Sequence, residues 1–204
     1  MTFNSENFNQ IFQKAIQIYH IKDDVNQSFV EADFAKNSLD SLLYKKCWID
    51  TVQWHYEDLI RDPNINPEEA IILKRKIDAS NQDRTDLVEL IDDYFFDYFK
   101  EVKISKEARI NTESIGWAID RLSILNLKVF HWKEESERKD ASEQHILKSI
   151  EKLDVLNAQY LFLTKAINYL IEDMSEGKVI AQTFKQMKMY NDPETNPILR
   201  ASKK

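Results

Sequence analysis

Polar side chains interrupt an apolar stripe in the segment from Lys74 to Phe99. At helical spacing, one face of this segment and its upstream neighbour carries Leu73, Ile77, Asn81, Arg84, Val88, Ile91, Phe95 and Tyr98. Steps of three and four residues place these side chains on one side of a helix, which predicts that this side is buried. Asn81 and Arg84 differ from the other members of the stripe because their side chains are polar. A buried amide or guanidinium needs hydrogen-bond or ionic partners. The stripe therefore predicts a polar site inside the fold.

Other polar side chains at helical spacing could join this site and form a polar seam between three helices. In chain order, the candidates are Trp54, Glu57, Asp58, Asp78, Asn81, Gln82, Arg84, Asp86, Asp120, Arg121 and Lys128. One explanation is structural: Arg84 pairs with Glu57 or Asp120, and the paired charges fix the register of the helices.

The other explanation is a ligand pocket between helices, which is the usual place for a binding site in a helical bundle. Arg84, Arg121 and Lys128 would then bind a small anionic ligand. The amides on the Arg84 helix would orient this ligand, and Trp54 would stack on it. Both explanations stay open at this point.

Clustered carboxylates also leave a magnesium site open, because Mg²⁺ binds through one to three carboxylates and several waters. The spacing Glu89-x-x-Asp92 resembles one half of the pattern in the all-α nucleotide pyrophosphohydrolases, which place Glu-x-x-Glu on one helix and Glu-x-x-Asp on the next. The first half is missing here, since Glu57 and Asp58 are adjacent. The alternative function is therefore a Mg²⁺-dependent phosphohydrolase with Glu57, Asp58, Glu89 and Asp92 as ligands.

The local motifs of other catalytic and metal sites are missing from the sequence. It has no Glu-x-x-His, His-Glu-x-x-His or Cys-x-x-Cys, which argues against zinc and iron, and two glycines exclude a phosphate-cradling loop. We predict no metal and no cofactor apart from Mg²⁺ under the alternative. His20 and His145 are expected at the surface. No catalytic residue can be assigned, and a binding role is favoured over an enzyme.

Composition predicts an all-α fold. Two glycines and four prolines among 204 residues are too few for the turns of a β-rich or α/β protein. A chain of this length without a composition shift is expected to form one domain, 1–204. The net charge of −7 argues against a nucleic-acid partner.

Periodicity and helix start signals predict a single-domain antiparallel helical bundle. It has four long helices and shorter terminal helices, followed by an extended tail at 191–204. The terminal helix at the start spans 5–19, and the four long helices are expected at 38–61, 67–100, 114–137 and 142–174.

Neither a secretory signal nor a stretch of membrane-spanning length is visible in the sequence. The expected location is the cytoplasm, without membrane insertion. A protein partner or a homo-oligomer stays open.

Several segments of the chain are similar to a known family. The segments are Cys47 to Asp58, Lys74 to Asp86 with its Asn-Gln-x-Arg-x-Asp motif, and Asp120 to Lys128 with its Asp-Arg-Leu-Ser-Ile-Leu motif. Together they resemble the bacterial family catalogued as domain of unknown function 4254, over nearly the whole chain. The resemblance implies a stand-alone cytoplasmic bacterial protein with an accessory role beside envelope-glycan glycosyltransferases. It implies no catalytic residue.

Overall fold

The computed structural model describes residues 3–190 and 192–202, and within them the protein is all-α. Its helices are α1 (Ser5–Tyr19), α2 (Leu39–Leu59), α3 (Pro67–Phe99), α4 (Ile115–Ser136), α5 (Glu143–Ser175) and α6 (Pro197–Ala201). The predicted bundle of four long helices with shorter terminal helices is confirmed. None of the described helices combines the length and the apolar content needed to cross a membrane.

Side-chain caps explain why the helices begin where they do. At the starts of α1, α2, α3, α5 and α6 a polar side chain accepts a hydrogen bond from a backbone N–H of the first turn, and these caps are Asn4, Ser38, Asn66, Ser142 and Asn196. Pro67 follows Asn66 at the first helical position, where its missing N–H costs nothing. At its C-terminal end, α5 is followed by Gly177, whose φ of +68° favours glycine.

The core lies where α1, α2, α3 and α4 meet, with α5 packed against α4. The interrupted stripe of α3 faces this core, and Ile91 and Phe95 are fully buried there. Its last member departs from the prediction: Tyr98 is half exposed, and Phe99 is buried instead. The long helix has turned slightly by its end, because its period of 3.6 residues does not keep one face in register over 33 residues.

Helices α3 and α4 approach closely at Gly116. Ser114 precedes α4 but makes no side-chain cap bond. Instead, Asp92 of α3 accepts hydrogen bonds from Ser114 Oγ at 2.5 Å and from the Gly116 N–H at 2.6 Å. A Cβ atom on Gly116 would lie 2.5 Å from Asp92 Oδ1 and 2.7 Å from the Val88 carbonyl oxygen. The neighbouring helix therefore caps α4.

Residues 178–190, which we call the strap, run without helical structure along α3. The strap Lys185 pairs with Asp93 at 2.7 Å, and Lys188 donates to Thr85 Oγ1 at 2.7 Å. The sequence predicted a short helix followed by an extended tail at 191–204, but the order is reversed: the extended part comes first, and α6 follows at 197–201 because Asn196 caps it. Positions 191, 203 and 204 of the predicted tail lie outside the described residues.

Candidate functional site

Four ionisable side chains from three helices form a buried network at the centre of the bundle. Lys46 and Asp50 come from α2, Arg84 comes from α3, and Asp120 comes from α4. Lys46 is 0% exposed and Asp50 only 2%, whereas the Arg84 side chain keeps 23% of its surface accessible. The network is therefore a core feature with a single partly solvated member.

The geometry of the network pairs each cation with both acids. Arg84 donates two parallel hydrogen bonds to the Asp120 carboxylate, from Nε at 2.9 Å and from Nη2 at 2.6 Å. Lys46 Nζ lies 2.5 Å from Asp50 Oδ2 and 2.8 Å from Asp120 Oδ1. Ser123 Oγ donates to Asp50 at 2.6 Å. Two positive and two negative charges thus balance, which offsets part of the cost of removing them from water.

The two carboxylates of the network differ in acidity. Burial raises the pKa of Asp50, and this rise exceeds the opposing effect of Lys46 and Arg84 because Asp120 adds to it. For Asp120, burial is outweighed by Lys46 and Arg84, so its pKa falls below the ordinary value. Burial acts to lower the pKa of Arg84, but Asp120 and Asp50 raise it overall. Asp120 is thus the firmly ionised partner of the arginine.

Part of the seam predicted from the sequence is found at this network. Arg84 is paired with Asp120, one of the two partners suggested for it, and its Nη1 donates to Asn81 Oδ1 at 3.4 Å. Glu57, the other suggested partner, bonds instead to Arg61 at 2.6 Å, four residues later and just beyond the end of α2.

Other predicted seam residues lie outside the network. Asp78 pairs with Lys74, and Asp86 accepts a hydrogen bond from Gln82 at 2.7 Å, so these acids are engaged along the exposed face of α3. Asp78 and Asp86 are exposed because their positions around the axis of α3 lie beside the buried stripe rather than on it. Asp58 is also exposed, and its Oδ2 lies 3.8 Å from His55 Nδ1.

The four acids suggested as magnesium ligands are not brought together. Asp92 is buried as the cap of α4, where burial raises its pKa despite the hydrogen bonds from Ser114 and Gly116. Glu89 accepts a hydrogen bond from the strap, from the Gln186 N–H at 2.9 Å. Within residues 3–190 and 192–202, no three acidic side chains converge as a metal site would require.

Arg84 reaches a cleft of about 790 Å³ between α4 and α5. Two other cations predicted as anion ligands, Arg121 and Lys128, line the same cleft. The remaining lining residues include two acids and several apolar side chains, among them Glu113, Asp120, Ile124, Leu125, Phe162 and Leu163. The cleft therefore combines a charged wall with an apolar one.

A second cleft, of about 440 Å³, lies on the other side of Arg84. Asp50, Trp54, Glu57 and Asp58 contribute to its lining together with Arg84. Trp54, which was expected to stack on a ligand, stacks on the His131 ring at a centroid distance of 4.7 Å and an angle of 14°. The arginine is thus the shared wall of two clefts.

Two network members, Lys46 and Asp50, are missing from the candidate list drawn from the sequence. A signal for both exists, because Leu39, Leu43, Lys46 and Asp50 follow steps of four, three and four residues. Lys46 therefore lies on the buried face of α2, as Arg84 lies on the stripe of α3 that faces the core. Its neighbour Lys45, one step around the helix, is exposed.

Three histidines also come together, although the sequence predicted no histidine metal site. His20, His55 and His131 each offer one ring nitrogen, and these nitrogens lie within 4.8 Å of one another. The prediction that His20 lies at the surface is wrong, since its side chain is 13% exposed. The reasoning against histidine metal sites used spacing within one helix, whereas these residues come from the end of α1, from α2 and from α4.

Comparison with known proteins gives a family but no named relative. No curated protein and no solved structure gives a match with this chain. One family model does match, over residues 40–183, and its description is "Protein of unknown function (DUF4254)". The matched range runs from α2 into the strap, and it contains all four members of the buried network. Since it covers well over half of the 204 residues, the chain belongs to the DUF4254 family.

Proposed function

We propose that this is a cytoplasmic binding or accessory protein that holds a small anionic ligand in the cleft between α4 and α5. The observation that carries the proposal is the presence of three cations on the cleft wall: Arg84, Arg121 and Lys128. Only two acids, Glu113 and Asp120, face them. The wall therefore keeps one positive charge in surplus, in a chain with a net charge of −7.

Lys128 is the cation most available to a ligand. Arg84 is held by Asp120, and Arg121 bonds to Glu113 at 2.7 Å. Lys128 is exposed and makes no ion pair within the part of the chain that the structure describes. An anion could therefore bind it without displacing an existing partner.

The apolar wall indicates what the anion is attached to. Phe162 is 75% exposed although it lines the cleft, and Ile124 and Leu163 lie beside it. A volume of about 790 Å³ lies within the range of small-molecule sites, which combine apolar walls with a few polar groups. These features favour a phosphate or carboxylate joined to a flat or apolar group.

The accessory role in envelope-glycan synthesis, implied by the family resemblance, is part of the proposal and selects the first compounds to test. Nucleoside diphosphate sugars and sugar phosphates carry anionic groups, and the former add a flat base. Binding by the full chain would be measured by calorimetry for uridine diphosphate sugars and for hexose phosphates. We expect saturable binding that weakens as the salt concentration rises.

Lys128→Met tests the site itself. Loss of one charge-assisted contact is expected to weaken binding about tenfold or more. The control is Lys148→Met, since Lys148 is exposed on α5 and does not line the cleft. If neither class of compound binds, or if both variants bind as the wild type does, the proposed function is wrong.

A further inference from the structure

His20, His55 and His131 form a cluster at the junction of α1, α2 and α4, apart from the residues used in the proposed function. His20 Nε2 and His55 Nε2 are 3.2 Å apart. Asp23 Oδ1 lies 3.5 Å from His55 Nε2 and 3.9 Å from His20 Nε2. The three imidazoles each offer a nitrogen within 4.8 Å of the other two, and the Asp23 carboxylate oxygen lies near two of them.

Partners at Nδ1 leave Nε2 unprotonated in two of these rings, and in His20 this nitrogen accepts a hydrogen bond from His55 Nε2–H. His20 Nδ1 lies 2.7 Å from the Ile16 carbonyl oxygen, which can only accept, so this nitrogen carries the proton. His131 Nδ1 lies 3.0 Å from Glu134 Oε2 and donates to that carboxylate in the same way. Metal-binding histidines show this arrangement, in which the second nitrogen donates to a carbonyl or carboxylate and fixes the tautomer.

Among the described residues, His131 Nε2 is a buried atom without a hydrogen-bond partner. An unsatisfied buried nitrogen is costly, and native structures seldom keep one without a reason. Here the lone pair of His131 has no N–H to accept from. A cation between the three rings would supply the missing partner.

Aromatic side chains hold the rings in place. The Tyr19 ring stacks on His55 at a centroid distance of 5.2 Å and an angle of 8°, and Trp54 stacks on His131. Phe130 packs on His20 at 4.4 Å. Such a shell restricts solvent around the nitrogens, while Asp23, at 58% exposure, leaves a side open to solution.

The spacing of the donors suits a tetrahedral ion. With metal–nitrogen bonds of about 2.0–2.1 Å, two ligands of a tetrahedral site lie about 3.3 Å apart. The observed 3.2 Å between His20 and His55, and 3.5 Å between His55 and Asp23, are close to this value, whereas His20 and Asp23 are 3.9 Å apart and the His131 nitrogen lies within 4.8 Å of the other two rings' nitrogens. Asp23 has a φ of 51°, a strained conformation for a residue with a side chain, of the kind that clusters at functional sites.

From this geometry we propose that His20, His55 and His131 bind a Zn²⁺ ion, with Asp23 or water as the fourth ligand. Three imidazoles and a hard oxygen donor suit zinc, whose d¹⁰ shell accepts a tetrahedral site without a preference of its own. Stronger divalent binders such as Cu²⁺ would also enter the site in vitro, because affinity follows the general metal order.

Direct binding to the full-length chain tests the proposal without any variant. The protein, stripped with a chelator and dialysed, would be titrated with ZnCl₂ by calorimetry and with CoCl₂ by visible absorption. We expect one Zn²⁺ per chain, a rise in melting temperature, and the intense Co²⁺ bands of tetrahedral coordination. If the chain binds no stoichiometric Zn²⁺, the proposal is wrong.

Variants then assign the ligands. His55→Gln and His131→Gln should each lower the Zn²⁺ affinity more than 100-fold, and Glu134→Ala, which removes only an orienting partner, should lower it about 10–100-fold. Glu134 is 54% exposed, so its variant keeps the fold even if a histidine variant does not, which circular dichroism would show. His145→Gln is the control, because His145 pairs with Glu135 outside the cluster. Equal losses in His145→Gln and His55→Gln would indicate surface binding and overturn the assignment.

Discussion

Lys46 shows how a charged side chain can be held in the core of this protein. Its ammonium is fully buried and lies between Asp50 and Asp120, with the Asp120 carbonyl oxygen at 3.2 Å as a third acceptor. Taking a charge out of water costs several kcal/mol, and only its partners offset that cost. The four charges are therefore interdependent, and the loss of one leaves the others uncompensated.

Lys46→Met should destabilise the fold by about 3–5 kcal/mol, because it leaves two acids buried with a single cation. The matched control is Lys45→Met, an exposed neighbour on the same helix, which should change stability by less than about 0.5 kcal/mol. Urea unfolding followed by circular dichroism measures both.

The double variant Lys46→Met with Asp50→Leu separates charge imbalance from lost packing. It keeps the paired Arg84 and Asp120, so the remaining charges balance, and it should be more stable than Lys46→Met alone. A single variant as stable as the wild type would show that the network contributes nothing to the fold.

At the scale of single residues, the sequence predicted part of the site. The Arg84 pair with Asp120 was accessible because both residues stand out against apolar neighbours on their own helices. The histidine cluster was not accessible, since each ring comes from a different element and no local spacing links them. Glu57 was misassigned because helical spacing gives a face but not the partner that a flexible side chain selects, here Arg61.

The contact between α3 and α4 is the clearest feature at the scale of elements. Within a helix, alanine is ordinarily more favourable than glycine, by up to about 1 kcal/mol in the interior, and Gly116 is the second residue of α4. At Gly116 the close approach of α3 reverses that preference, because a Cβ would meet the Asp92 carboxylate and the Val88 carbonyl oxygen. The backbone of Val88 cannot move aside as a flexible side chain would.

Gly116→Ala should therefore destabilise the protein by about 1–3 kcal/mol, the usual cost of overpacking a tight contact. Thermal and urea unfolding would measure the change. Helix propensity alone predicts the opposite sign, so a variant more stable than the wild type would show that the two helices are not this close.

Helix limits were predictable because they are set locally. The starts at Ser38, Asn66 and Ser142 are fixed by caps that the sequence displays. The strap was not predictable in this way, since its extended conformation depends on bonds to α3, about 100 residues away in sequence.

For the whole molecule, the strap joins the end of α5 back to the outer side of α3. Val179 is 2% exposed, and the backbone around it pairs with Arg109. Beyond the strap, α6 has no buried residue. We therefore expect the strap to stabilise the fold and α6 to be dispensable for it.

A chain ending at Gly177 should lose about 2 kcal/mol or more of stability, since burial of one valine side chain alone contributes that amount. A chain ending at Tyr190 keeps the strap and removes only α6 and its flanks, so it should unfold within about 0.5 kcal/mol of the full protein. Melting curves of the two truncated chains decide the matter. Equal stabilities would show that the strap is not bound to α3 in solution.

The cap that α3 provides for α4 has a consequence for hydrogen exchange. The Gly116 amide donates to Asp92, a residue 24 positions earlier on another helix. Opening of this amide therefore also requires its contact with α3 to break, whereas amides at a self-capped helix start exchange through local opening of one helix. The rate at which this one amide exchanges with deuterium thus reports how often the contact between α3 and α4 opens.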